Sequence, residues 1–305
     1  MDIGKQYITQ DNQEDKSGFK SSARLHQSHF RAQNNLAWEG YGNFLLRSEG
    51  EAGNNFYSNF GIFNAVKNYR SYNKQLYSNM LRSEHIPFNF FIPFRQDLNF
   101  CKNVFNEFLG GCIKSIENQA LIDNKENIKI EFAPKPKAQY LKDGTSFDAY
   151  IEYTHIDNTK GILGIEVKYT EQAYELSGLT EEHAINDLDS KYHTVSKESN
   201  LYKKDKIEQL KSNEFRQIWR NHILGESMLQ HNNKKFHHFT SITLFPKRNS
   251  HFLHTSEKYI DLLSTNKNNF LPIFYEEFFM WCYYHCPNQM YMDWINYLTN
   301  RYIVR

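Results

Sequence analysis

The most specific chemical signal in this 305-residue chain is a set of three residues, Asp148, Glu166 and Lys168. Glu166-Val167-Lys168 lies inside an apolar alternating stretch, Ile162 to Thr170 (ILGIEVKYT), that reads as a β-strand. Alternate residues of a strand share a face. Glu166 and Lys168 therefore point one way, and Leu163, Ile165, Val167 and Tyr169 point into a core. Asp148 sits on the strand before, Ser146 to Thr154 (SFDAYIEYT), where Phe147, Ala149, Ile151 and Tyr153 make the opposite, apolar face. Asp157-Asn158-Thr159-Lys160-Gly161 is a turn between them, so the two strands read as a hairpin that can bring Asp148 to Glu166. Two carboxylates on adjacent strands suit a hard cation. Mg²⁺ takes one or two protein oxygens and completes its shell with water and phosphate, and the Val167 carbonyl is a candidate further ligand. A neighbouring lysine can orient or deprotonate an attacking water and offset charge on the phosphorane. The ion lowers the pKa of water and clamps phosphate oxygens. These are the parts of a phosphodiester hydrolase, with Mg²⁺ as expected cofactor and Mn²⁺ as substitute.

The tripeptide pattern alone is weak. Glu14-Asp15-Lys16, Asp123-Asn124-Lys125 and Asp189-Ser190-Lys191 share it, but each lies in polar surroundings without strand alternation. The competing reading of Glu166-Val167-Lys168 is a structural ion pair on a surface hairpin.

The positioning elements follow from periodicity. Val104, Phe105, Phe108, Leu109, Cys112, Ile113 and Ile116 predict an amphipathic helix ending near Asn118. A strand is expected from Ile128 to Ala133, stopped by Pro134. A long helix is expected from about Lys206 to Gln230, then a strand from Phe239 to Phe245 closed by Pro246. The order helix, strand, strand, strand, helix, strand gives an α/β fold, a mixed sheet with helices on its faces. Residues 1–20 read as a polar tail and 21–95 as a helical region for DNA contact or dimerisation, with a helix from Ser22 to Trp38. Residues 96–250 form the core, and 251–305 an aromatic helical lobe.

At this level the chain resembles the PD-(D/E)XK nucleases, whose fold is restriction-endonuclease-like. The strings GTSFDAYIEY (Gly144 to Tyr153), GIEVKYTE (Gly164 to Glu171), QIWRNHIL (Gln217 to Leu224) and SITLFP (Ser241 to Pro246) are similar to a bacterial family of restriction-type endonucleases. ARLHQSHFR (Ala23 to Arg31) is similar more loosely. The resemblance implies that Asp148 and Glu166 hold the metal and that Lys168 is the catalytic lysine. Phe147 stands where the name-giving motif has proline. The resemblance also implies a glutamate on the helix before the sheet, for which Glu107 is the candidate, and a glutamine or basic residue on the helix after the lysine strand. Gln217, Arg220 and Asn221 are spaced i, i+3, i+4 and share a face there. Gln217 is taken as catalytic, and Arg220 and Asn221 as DNA-binding. The expected products carry 5′-phosphate and 3′-hydroxyl ends, in a restriction or phage-defence setting. A homodimer and a cognate methyltransferase are the expected protein partners.

Other features carry weaker expectations. Ala52 to Ser83 contains no acid but holds Lys67, Arg70, Lys74 and several tyrosines, a composition suited to phosphates and stacked bases. Arg31 shares a helix face with Arg24 and Gln27 and is a candidate phosphate contact. Ser227 to Ser256 is also acid-free and rich in histidine. Cys282, His285 and Cys286, with Cys101 and Cys112, read better as buried thiols than as a zinc site. Four cysteines in a chain this long argue against a disulfide scaffold, and no apolar run approaches membrane-spanning length. The expected compartment is the cytoplasm. A net charge of +1 neither demands nor excludes nucleic acid. The alternatives are a fold-retaining binding module without chemistry, or a nuclease acting on RNA or on structured or single-stranded DNA.

Overall fold

The computed structural model describes residues 18–171, 179–231, 233–264 and 269–304. The tail expected at the N-terminus lies, up to residue 17, outside the described residues. The N-terminal segment comprises α1 (Phe19–Gln33), a small ladder of β1 (Trp38–Glu39) and β2 (Phe44–Leu45), and the short helices α2 (Arg47–Glu51), α3 (Ile62–Tyr69), α4 (Lys74–Ser78) and α5 (Ile86–Phe91). Helix α6 (Leu98–Leu109) leads to β3 (Ile113–Ser115), β4 (Lys129–Phe132), β5 (Phe147–His155) and β6 (Lys160–Val167). Then come α7 (Leu179–Asn186), α8 (Lys191–Glu198), α9 (Arg216–Leu229), β7 (His238–Phe245), α10 (Ser250–Leu262), β8 (Phe270–Phe274), α11 (Tyr275–Tyr284) and α12 (Gln289–Tyr302).

The main sheet runs β3-β5-β6-β7-β8, with β4 also pairing β5. β5 and β6 form the antiparallel hairpin, and β6, β7 and β8 are parallel. A central strand covered on both faces carries an unbroken apolar run, and β6 is buried from Gly161 through Val167. On one face, Ala149, Ile151, Leu163, Ile165, Val167 and Ile242 pack with aromatic side chains from both ends of the chain, among them Phe90, Phe278 and Trp294. On the other, Tyr150, Ile162 and Phe239 pack against Ile218, Trp219 and Ile223 of α9. The result is an α/β fold, a mixed sheet flanked by helices with further helical segments before and after. Among the described residues no helix is long and apolar enough to cross a membrane.

Five local expectations change. The helix expected from Ser22 to Trp38 runs from Phe19 to Gln33, and Trp38 lies on β1. Helix α6 stops at Leu109 because Gly110 and Gly111 take φ of 63° and 78°, a left-handed exit that glycine allows. Cys112, Ile113 and Ile116 therefore lie beyond the helix, with Ile113 on β3. The long helix expected from Lys206 divides into a 3₁₀ stretch, Lys204–Lys211, and α9. β8 extends the sheet from within the stretch expected to be wholly helical. Phe147 belongs to the α9 face, stacking on Tyr150 at 6.0 Å, and not to the face of Ala149. Gly164 makes room for it, since a Cβ there would meet the Phe147 ring at 2.4 Å.

Candidate active site

The last paired residues of the β5–β6 ladder are Ala149 and Ile165. One step further, Asp148 and Glu166 come next to each other across the two strands. The backbones part there, and the side chain of Asp148 takes over the ladder's work: Val167 N donates to Asp148 Oδ2 at 2.7 Å. A residue's N–H and C=O leave a strand on the same side, so the Val167 carbonyl also lies toward Asp148. Glu166 and Lys168 are each only 4% exposed. Lys168 Nζ lies 2.5 Å from Glu166 Oε1. From α9, Gln217 Nε2 donates to the same oxygen at 2.5 Å, and Asn221 Nδ2 donates to Oε2. The i, i+4 spacing of Gln217 and Asn221 stacks them on one helix face, and that face is turned onto Glu166. The strand end is held by Lys168 N donating to Leu244 O at 2.8 Å and by Tyr275 Oη donating to Lys168 O at 2.7 Å.

Two further carboxylates complete the surroundings. Glu131 lies on β4 between Ile130, which pairs with Ala149, and Phe132, which pairs with Phe147. Its register position therefore faces Asp148, and its φ of 52° is unusual for a non-glycine residue in a strand. Burial first, then the charges of Glu166 and Glu84, push its carboxyl up to about 7. Asp148 is raised well above the ordinary aspartate range by burial, Glu166 and Glu131, against the opposing pull of Lys168 and the Val167 amide. For Lys168, burial favours the neutral amine, but Glu166, Asp148 and Glu171 together hold the ammonium above its ordinary value. Glu171 receives Ser83 N and Oγ on Oε1 at 2.8 and 2.9 Å, and the amides of Tyr169 and Thr170 on Oε2 at 3.1 Å. Burial pushes its carboxyl up, but Lys168 and these amides outweigh burial and leave it below its ordinary value.

The sequence reading missed both. Glu131 sits in a simple alternation where it reads as the solvent side of a strand. Glu171 follows the apolar run of β6 as an ordinary polar residue.

The structure brings together Asp148, Glu166, Val167, Lys168, Gln217 and Asn221, and places the other candidates elsewhere. Glu107 Oε1 is 2.7 Å from His285 Nε2, a pairing with the segment after α11 and not with the carboxylates. Arg220 is buried and bonds Thr145 Oγ1 at 3.2 Å and Asp143 Oδ2 at 3.3 Å, so it braces the loop before β5. Arg31 is buried as well. It donates to the carbonyls of Gly42 and Leu36 and lies over Trp38, which turns it inward. Lys67 and Lys74 are exposed, Lys67 over the Phe63 ring and Lys74 paired with Glu39. Arg70, also exposed and lying over Tyr69, is close enough for its charge to reach Glu131. The four cysteines are free thiols, Cys101 and Cys282 buried. Among the described residues no close trio of metal-ligating atoms includes any of them.

The donor set fits a divalent cation. Glu131, Asp148 and Glu166 face one ammonium, and the pull of Lys168 on Asp148 and of Arg70 on Glu131 is outweighed by burial and the neighbouring acids, so both carboxyls stay raised. Oxygen donors suit a hard ion. The three carboxyls do not form a trio with all ligand atoms within 4.8 Å of one another. By register Asp148 and Glu166 are neighbours across β5 and β6, and Glu131 lies opposite Asp148 on β4.

No curated protein and no solved structure matches the chain. A family model does, over residues 10–304, a span that includes every element from α1 to α12 and all the site residues above. The chain, with its paired acids and lysine gathered at the end of a mixed sheet, belongs to the PD-(D/E)XK nuclease superfamily.

Proposed function

We propose that this nuclease is a Mg²⁺-dependent endonuclease that hydrolyses DNA phosphodiester bonds to 5′-phosphate and 3′-hydroxyl ends. Mn²⁺ substitutes, and the setting is restriction or phage defence. The observation that carries the reading is the buried convergence of Asp148, Glu166 and Lys168, with Lys168 Nζ 2.5 Å from Glu166 Oε1.

Asp148 and Glu166 would hold the ion, and the Val167 carbonyl lies on the side where it can join them. The ion supplies Lewis acidity toward the scissile phosphate. Gln217 and Asn221 fix the plane of the Glu166 carboxylate. Lys168, kept as an ammonium by its neighbours, donates hydrogen bonds to the incoming water and stabilises the charge that builds on the phosphate oxygens. It is therefore a donor and not the general base. Arg70 and Tyr69 are exposed and electrostatically coupled to the carboxylate cluster, so the guanidinium would meet a phosphate and the ring would stack a base. Cutting both strands of a duplex calls for two such sites, which a two-fold homodimer provides.

The test is cleavage of supercoiled plasmid, linear duplex, single-stranded DNA and RNA by the purified protein, with Mg²⁺ or with chelator. Duplex DNA should be nicked or cut only with the metal, and Asp148→Ala and Lys168→Ala should remove the activity. Undiminished cutting by both variants would refute the assignment, and preferential cutting of RNA would refute the substrate.

A further inference from the structure

At the other end of the hairpin from Asp148 lies a second cluster of metal-ligating groups. His155 ends β5, Asp157 is in the turn, and His238 opens β7. One ligand atom from each lies within 4.8 Å of the other two, the one such trio among the described residues. Asp157 bridges the pair: His155 Nδ1 is 3.1 Å from Oδ1, and His238 Nε2 is 2.9 Å from Oδ2. The two imidazoles are stacked with centroids 3.9 Å apart and planes 23° from parallel, so both rings present nitrogen to the same carboxylate.

The hydrogen bonds at His155 are in conflict. Asp157 N donates to His155 Nδ1 at 3.2 Å, which requires a lone pair on that nitrogen. The same nitrogen faces Asp157 Oδ1 at 3.1 Å, which requires a proton. With the lone pair exposed, nitrogen and carboxylate oxygen repel. A cation between them removes the repulsion, because both groups then act as donors of electron pairs and the Nδ1 lone pair passes from the Asp157 amide to the ion.

The spacings also suit a small ion. Metal–ligand bonds of about 2.0–2.1 Å in a tetrahedral site put ligand atoms about 3.3 Å apart. One ligand atom from each of the three residues lies within 4.8 Å of the other two, so side-chain shifts of about an ångström bring them to that spacing. The carboxylate is oriented from outside, since Thr159 N and Oγ1 donate to Oδ1 at 2.8 and 2.6 Å. Such outer bonds are what hold a metal-ligating carboxylate in place. Both histidines line a cavity, with Cys112, Tyr153 and His237, from which a solvent molecule can fill the fourth position.

We propose that His155, Asp157 and His238 bind a zinc-class ion that clips the β5–β6 turn to the start of β7. Two imidazoles and one carboxylate select Zn²⁺ or Co²⁺ over Mg²⁺. Asp148 and His155 are seven residues apart on one strand, which is about 23 Å, so the clip is distinct from the nuclease site and does not depend on the proposed function.

The experiment uses the full chain carrying Asp148→Ala, so that zinc at the nuclease carboxylates is not counted. Zn²⁺ is titrated by calorimetry, with Co²⁺ absorption as the spectroscopic report, in excess Mg²⁺. One ion per chain is expected, with the intense visible bands of four-coordinate Co²⁺. Adding His238→Ala or Asp157→Asn should weaken binding about 100-fold or more, and Thr159→Val about 10-fold. Circular dichroism confirms that each variant is folded, and His238→Gln serves if His238→Ala is not. Absence of Zn²⁺ binding in the Asp148→Ala chain, displacement by Mg²⁺, or full affinity in the folded His238 and Asp157 variants would overturn the proposal.

Discussion

Replacing Glu131 by glutamine should make the metal-free protein more stable at pH 8, although a polar side chain in the site is altered. In the folded chain the Glu131 carboxyl is pushed from its ordinary 4.5 up to about 7. The folded state therefore holds a proton that the unfolded state releases between those values. Stability is at its highest below pH 4.5, falls as pH rises through the interval, and carries the full penalty above about 7. The interval corresponds to roughly 3 kcal/mol. For 305 residues at about 2.1 cal/mol/K each, the unfolding entropy is about 0.6 kcal/mol/K, so the gain in Tm is about 5 °C. At pH 5 the penalty is under about 1 kcal/mol, and the variant should melt within about 1 °C of the parent. The assay is a thermal melt with chelator at both pH values, repeated with saturating Mg²⁺. The ion offsets the same charge, so it should narrow the pH 8 difference. A Glu131→Gln protein no more stable than the parent at pH 8, or equally stabilised at pH 5, would refute this account of the carboxylate cluster.

Gln217→Ala removes one donor from Glu166 Oε1 and should weaken the divalent ion's apparent affinity about 10-fold or more, with activity partly recovered at high Mg²⁺. Gly164→Ala drives a Cβ to 2.4 Å from the Phe147 ring and should cost about 1–3 kcal/mol in chemical denaturation, with Phe147→Leu in the same chain returning part of it. Glu171→Gln should destabilise at neutral pH. Its folded carboxyl lies below the ordinary value, so its contribution is present above the unfolded pKa and is lost as pH falls through the folded one, and parent and variant melts should converge in acid. Asp148→Asn should abolish cleavage without lowering the metal-free melting temperature at pH 8, because it also removes a carboxyl that burial and two acids disfavour.

The β5–β6 hairpin was legible because its signals are local: alternation on two strands, a turn between them, and an acid–lysine pair on one face. Gln217 and Asn221 were legible as a polar helix face, and packing then turned that face onto Glu166. Glu131 was not, because its place depends on the register of β4 against β5 and on a left-handed backbone that alternation does not encode. The burial of Arg31 was not legible for a related reason. Its helix face looks solvated in one dimension, while the carbonyls of Gly42 and Leu36 that enclose it come from the turn and ladder that follow. β8 was concealed by composition, since aromatic residues serve a buried strand and a packed helix equally well. Gly110 and Gly111 carried the signal that ends α6, but the apolar period running through them outweighed it.

A carboxylate offers about four lone-pair directions, two on each oxygen. At Glu166, Lys168 and Gln217 occupy both on Oε1, and Asn221 takes one on Oε2. That leaves a single vacancy, on Oε2, for an incoming ion. As a ligand of the proposed ion, Glu166 in this arrangement would grip one cation through one atom, and would neither chelate through both oxygens nor bridge two ions. On the proposed function, the number of ions this acid would hold is set by α9 as much as by the strand that bears it.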